Sequence, residues 1–145
     1  MPMVFGGNMD NKELKPGTTL YLPIFNDGAQ FFAGDGHGVQ GDGEVCLTAL
    51  EMGIAGRFRL TIRRDISLAQ PFAESASHLI SIGLSEDLDE AARQAVREMI
   101  LHVQQRSYLS REEAYMLCSV AGDLHISQVV DGKKGVHMML PKRYL

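Results

Sequence analysis

A chain of 145 residues has room for one domain, since independently folding units run about 100–200 residues. With 45% hydrophobic and 22% charged residues it is neither disordered nor fibrous, and a net charge of −4 lacks the basic footprint that DNA or RNA demands. Cys46 and Cys118 stand far apart with no CxxC spacing, which excludes a disulfide framework or zinc knuckle and fits a reducing, cytoplasmic compartment. No run approaches the ~18–20 apolar residues of a membrane span, and the start Met1-Pro2-Met3-Val4-Phe5 lacks the regions of a signal peptide. The expectation is a soluble cytoplasmic protein with neither nucleic acid nor membrane as partner. One number stands out: nine of the fifteen glycines fall between Gly6 and Gly43.

In chain order, Thr18–Phe25 (TTLYLPIF) predicts a strand, with Asn26-Asp27-Gly28 turning it into a hairpin with Ala29–Ala33. Pro23 cannot donate a ladder hydrogen bond, so the strand is expected at an edge or bulged. Gly34–Gly43 (GDGHGVQGDG) is too rich in glycine for a helix or central strand and predicts a loop. Glu44–Ile54 fits a strand or a short helix. Arg57–Arg64 (RFRLTIRR) alternates, which predicts a strand burying Phe58, Leu60 and Ile62. His78–Gly83 is a short strand. Asp87 and Glu90 then make a capping-box-like start for a helix over 87–105, with Leu88, Ala92, Ala95 or Val96, Met99, Ile100 and Val103 on its apolar face. Ser110 and Glu113 open a second helix that stops at Gly122 and buries Ala114, Leu117, Cys118 and Ala121. Leu124–Val130 and Val136–Leu140 are two more strands across the turn Asp131–Gly135. Strands first and two adjacent helices later give an α+β class, mainly β and sandwich-like, in one domain over 1–145.

Chemistry is expected where polar side chains sit among glycines, because a ligand can approach a backbone that carries no Cβ. Asp35 and His37, two apart in an extended stretch, point to one side and can chelate a divalent ion, zinc or a harder cation, with Glu44 completing the shell or acting as base. A solvated acidic loop is the alternative. An EF-hand is excluded because His37 and the glycines break its register. Asn8 and Asp10 in Gly6–Asp10 form a second polar cluster, whose plain alternative is an Asx turn. Cys46 is a candidate nucleophile with His37 as base and Glu44 or Asp35 as orienting group, although a cysteine in VCLTAL also reads as a small core residue. Cys118 faces the core of its helix. His125, with Asp123 and Ser127, is expected on a solvated strand face, and His78, His102 and His137 in hydrogen-bonded structural positions. The Arg57–Arg64 stripe is expected to pair with the acidic helix start around Glu86, Asp87, Asp89 and Glu90.

The segments GGNMD (6–10), PGTTLYLPIF (16–25), GDGHGVQGDGEV (34–45), SREEAYMLCSVAGDLHISQVV (110–130) and KGVHMMLPK (134–142), in this order, resemble the acetamidase/formamidase family of amide hydrolases. The resemblance implies hydrolysis of formamide or acetamide to carboxylate and ammonia, on a predominantly β fold with a helical excursion. Family members are roughly twice as long, and this chain resembles their C-terminal half. The resemblance locates the loop but not the task of each side chain; because an unactivated amide resists water and a divalent metal such as zinc can activate it, Asp10, Asp35 and His37 are expected to hold one. Glu44 is expected to act as the proton acceptor, and Asn8 and Gln40 to orient the amide. Two other readings stand beside it: a truncated, inactive binding or assembly subunit, and a Cys46 thiol amidase. An orphaned β surface would drive association into a homo-oligomer or with a separate N-terminal-half polypeptide, through Thr18–Phe25 and Val136–Leu140.

Overall fold

The computed structural model describes residues 1–145. Five antiparallel strands form one sheet: β1 (Thr19–Tyr21), β2 (Phe72–Glu74), β3 (His78–Ser85), β4 (Asp123–Gln128) and β5 (Lys134–Pro141), in the order β1-β2-β3-β5-β4. Between β3 and β4 run two helices, α1 (Leu88–Gln104) and α2 (Arg111–Ala121). This is the expected α+β class, and both helices begin where their caps predict. The Asp87 carboxylate accepts from Glu90 N at 2.8 Å, and Ser110 and Glu113 close a reciprocal capping box. Gly122 ends α2 with its N–H on Cys118 O.

One face of the sheet carries the core. Phe72, Leu79, Val136, Met138 and Leu140 pack against Ala91, Ala95, Met99, Ile100 and Val103 of α1 and Ala114 and Cys118 of α2. The helix sits very close to the strands because Gly83 has no side chain: a Cβ there would run into the Ala91 carbonyl and lie 2.7 Å from Ala95 N. Beside it, Ser81 Oγ donates to Ala95 O at 2.6 Å, so a buried hydroxyl is satisfied by the helix backbone.

The free edge of β4 receives the glycine-rich loop. Gly43 N donates to Ile126 O at 2.7 Å and Val129 N to Gly43 O at 2.9 Å. No helix is long and apolar enough to cross a membrane.

Five expectations fail, and in each the partner that a segment meets, or lacks, decides the outcome. β1 forms, but it pairs with β2 rather than with 29–33, and residues 24–35 are exposed throughout. Glu44–Ile54 is neither helix nor strand beyond a single bridge at Glu51. Arg57–Arg64 has the right alternation and no sheet edge to join, so Phe58, Leu60 and Ile62 stand 62%, 68% and 66% exposed. Arg63 pairs with Asp65 instead of the helix start, where Glu90 is held by Arg93 and Arg97. Finally, β4 is turned over relative to its predicted facing. Ser127 is buried and His125 half-covered, because the loop lies on their side, while Leu124 and Ile126 are exposed beyond the reach of the helices.

Candidate active site

The Gly34–Gly43 loop is irregular but not free. Gly38 N reaches Leu50 O, Leu50 N reaches Val39 O and Met52 N reaches Gly36 O, a short ladder that sets His37 opposite Glu51. Glycine is required at 36, where a Cβ would lie 2.7 Å from Met52 O. This close pairing fixes the direction of His37. Two acidic neighbours adopt left-handed backbone, Asp35 at φ 62° and Glu44 at φ 43°, a conformation uncommon for residues with a Cβ and concentrated at functional sites.

Asp10, His37 and Glu44 converge, each offering a ligand atom within 4.8 Å of the others. Asp10 and Glu44 are only 7% and 5% exposed. Around His37 Nε2 stand Glu51 at 3.2 Å, Asp35 at 3.4 Å and Glu44 at 3.8 Å. Asp35 thus joins the cluster from the exposed side, grouped with His37 and Glu51 rather than with Asp10. His37 Nε2 and Glu44 Oε2 are buried without a hydrogen-bond partner.

Amide side chains hold this cluster. Gln128, wholly buried on β4, donates to Asp10 Oδ2 at 2.6 Å and accepts from Asp10 N at 3.0 Å. Asn8 donates to the same Asp10 oxygen at 2.9 Å and to Asp131 at 3.1 Å. Gln40 donates to Asp10 O at 2.6 Å and meets His37 Nδ1 through its carbonyl oxygen at 3.2 Å. The amides of Asn8 and Gln40 are therefore engaged with Asp10 and His37.

Burial, followed by the neighbouring Glu44 carboxylate, raises the Asp10 carboxyl to about 7. Two buried carboxylates side by side resist ionising together. For His37 the largest influence, burial, opposes protonation, but Gln40 and the carboxylates of Asp35, Glu51 and Glu44 outweigh it, and the imidazole is raised above its ordinary value.

Cys46 is exposed, and its thiol meets only Thr48 O at 3.7 Å, with no imidazole on it. Cys118 is buried in the core, as expected. Glu51 and Gln128 are the residues that sequence reasoning missed. Neither offered a signal, since Gln128 meets Asp10 across 118 residues of chain and Glu51 reaches His37 only through the ladder. His137, expected to be structural, is fully buried with Nδ1 2.7 Å from Ser127 Oγ.

Fold and site together define an α+β protein with a buried carboxylate–imidazole cluster docked on a sheet edge, a donor set suited to a divalent cation. Residues 2–143 match the model of the Acetamidase/Formamidase family. The acetamidase of Mycolicibacterium smegmatis is 43% identical over 53 residues, 36% of this chain and 13% of that protein. Among solved structures, the acetamidase of Bacillus halodurans superposes at a TM-score of 0.89 with 36% identity, over 99% of this chain and 49% of the other. That of Yersinia enterocolitica gives 0.89 and 34% over 99% and 44%. This chain belongs to the acetamidase/formamidase family, and it spans about half the length of the solved relatives it matches.

Proposed function

We propose that this chain carries the reacting groups of an amidase that hydrolyses a small aliphatic amide, formamide or acetamide, to carboxylate and ammonia. The observation that carries the reading is a pair of buried atoms that make no hydrogen bond, His37 Nε2 and Glu44 Oε2, beside the Asp10 carboxyl and with the Glu51 and Asp35 carboxylates around the imidazole. A divalent cation, zinc by the donor set, suits such a site, since it neutralises the buried carboxylates and accepts the imidazole lone pair. Asp10, His37 and one carboxylate oxygen of Glu44 would hold it, leaving the other Glu44 oxygen as a base, with Asp35 at the exposed side. Bound there, it supplies polarisation of the amide carbonyl and acidification of water.

The chain's own groups do the rest. Glu44 Oε2 takes the proton from the attacking water as its oxygen adds to the carbonyl carbon, and returns it to the nitrogen as the C–N bond breaks and ammonia leaves. Gln128 and Gln40 fix Asp10 and His37, so the cluster is positioned before substrate arrives. The carbonyl of Asn8 accepts from the substrate N–H while its NH₂ stays on Asp10. Gln40 orients the amide indirectly, by holding His37.

The exposed arm of residues 24–35 and 51–65 fits the same reading as an assembly surface, for a second copy or for a polypeptide matching the other half of the longer relatives. The decisive experiment measures metal content and ammonia release for the metal-loaded chain and its Asp10→Ala, His37→Ala and Glu44→Gln variants. Asp10→Ala and His37→Ala should lose metal and turnover together. Glu44→Gln keeps a ligating oxygen and should lose turnover about 10²-fold or more. Unchanged metal content in the first two variants would sink the metal site, and metal uptake without ammonia from any preparation would make the chain a binding or assembly subunit.

A further inference from the structure

We propose that Asp42, His125 and His137 form a second divalent-metal site, of the zinc class, which clips the Gly41–Glu44 turn to the β4–β5 hairpin. None of the three belongs to the Asp10–His37–Glu44 cluster, so the two sites stand or fall separately. One nitrogen of each imidazole and one Asp42 oxygen lie within 4.8 Å of one another. His125 Nδ1 and Asp42 Oδ2 are hydrogen-bonded at 3.1 Å, which already sets the imidazole and the carboxylate side by side. Two imidazoles and a carboxylate form a donor set that suits zinc or cobalt better than magnesium or calcium.

His137 supplies the independent observation. The ring is fully buried, its Nδ1 is engaged by Ser127 Oγ at 2.7 Å, and its Nε2 has no partner at all. A buried ring nitrogen left without a partner carries a desolvation penalty that a bound cation would relieve. With Nδ1–H donated to the Ser127 hydroxyl, Nε2 would carry the free lone pair that a ligating histidine needs. The two imidazoles are stacked, at 12° with centroids 5.2 Å apart, so one ring turns about its side-chain bonds for both lone pairs to reach a single ion. Asp42 divides its oxygens: Oδ1 meets the Lys12 ammonium at 2.9 Å, and Oδ2 is presented to His125. Lys12 is then the counter-charge that a metal displaces or tolerates, which predicts competition between the two.

Zinc uptake by the chelator-stripped chain, followed by equilibrium dialysis and mass spectrometry in a Cys46→Ser background that removes the exposed thiol, tests this. The wild-type site residues should take up two equivalents. His125→Asn and Asp42→Asn, both at partly exposed positions and checked for folding by circular dichroism, should each take up one. Lys12→Ala should tighten the His125-dependent equivalent about two- to fivefold, the scale of a lost surface ion pair. Cobalt should give a visible absorption band that His125→Asn abolishes and His37→Asn leaves in place. Full wild-type uptake by both His125→Asn and Asp42→Asn would overturn the second site. A single equivalent lost only in His37→Asn would overturn it as well, while leaving the amidase reading intact.

Discussion

Residues 71–145 and residues 24–65 are built from the same kinds of side chain and meet opposite fates. The first stretch buries Phe72, Leu79, Ile80 and Leu140 almost completely, while the second leaves Phe32, Phe58, Leu60 and Ile62 in the open. Hydrophobicity does not separate them. What differs is the supply of neighbours: β3 and β5 pair along eight residues and receive α1 across one face, whereas residues 24–35 and 54–65 join no strand, and the aromatic rings among them meet each other, at Phe31 and Phe58. The loop of the candidate site lies between these extremes, irregular but anchored to the β4 edge through Gly43 and Gln40. Apolar patterning states what a segment can bury, and burial follows only where a second surface exists.

The contrast can be broken most forcefully in the core. Gly83→Val drives a side chain into the Ala91 carbonyl and should cost more than about 3 kcal/mol, read as a collapse of the urea midpoint. A value near wild type would show that α1 can move away. Acid should also act through the core. Burial, then the Arg106 charge, holds the His102 imidazole at about 4 against an ordinary value near 6.5, so the unfolded chain binds a proton that the folded chain refuses between those limits. Stability should therefore fall as pH drops from about 6.5 to about 4, by at most about 3 kcal/mol for this group. His137, also held at about 4 by burial, acts in the same direction. The raised Asp10 carboxyl and His37 imidazole act in the opposite direction, so the His102 contribution is read as the difference between wild type and His102→Gln in the change of urea midpoint from pH 7 to 5.

Ser110→Ala removes the α2 cap and should cost about 1 kcal/mol, which thermal unfolding would register. At the other end, Phe32→Ser and Phe58→Ser should change the urea midpoint by less than about 0.5 kcal/mol while weakening any association seen in sedimentation velocity. A large loss of stability there would mean that the arm belongs to the chain's own core and would erase the distinction between the two regions.

The helices were legible because their signals are local: Asp87 with Glu90 and Ser110 with Glu113 act within one turn, and the apolar period of α1 names Ala95, Met99, Ile100 and Val103 of its buried face, while Ala91 and His102 join it unannounced and Leu88, Ala92 and Val96 are only half-buried. The site was half legible. Asp10, His37 and Glu44 were visible as polar residues among glycines, and the glycines between 34 and 43 do permit the close ladder that aims His37. The contributions of Glu51, Gln128 and Ser127 were not visible, since each meets its partner across 10 to 118 residues of chain, or, for Glu51, across a ladder that no spacing announces.

By itself, then, the sequence determined the α+β class, the two capped helices, the β4–β5 hairpin and the motif segments that carry the family resemblance. These depend on neighbours a few residues apart or on residue order. Only the tertiary structure decided that Arg57–Arg64 is no strand, which side of β4 is covered, and that two imidazole–carboxylate clusters flank one glycine loop. Those outcomes depend on which surfaces meet, and a one-dimensional pattern holds no term for the second surface.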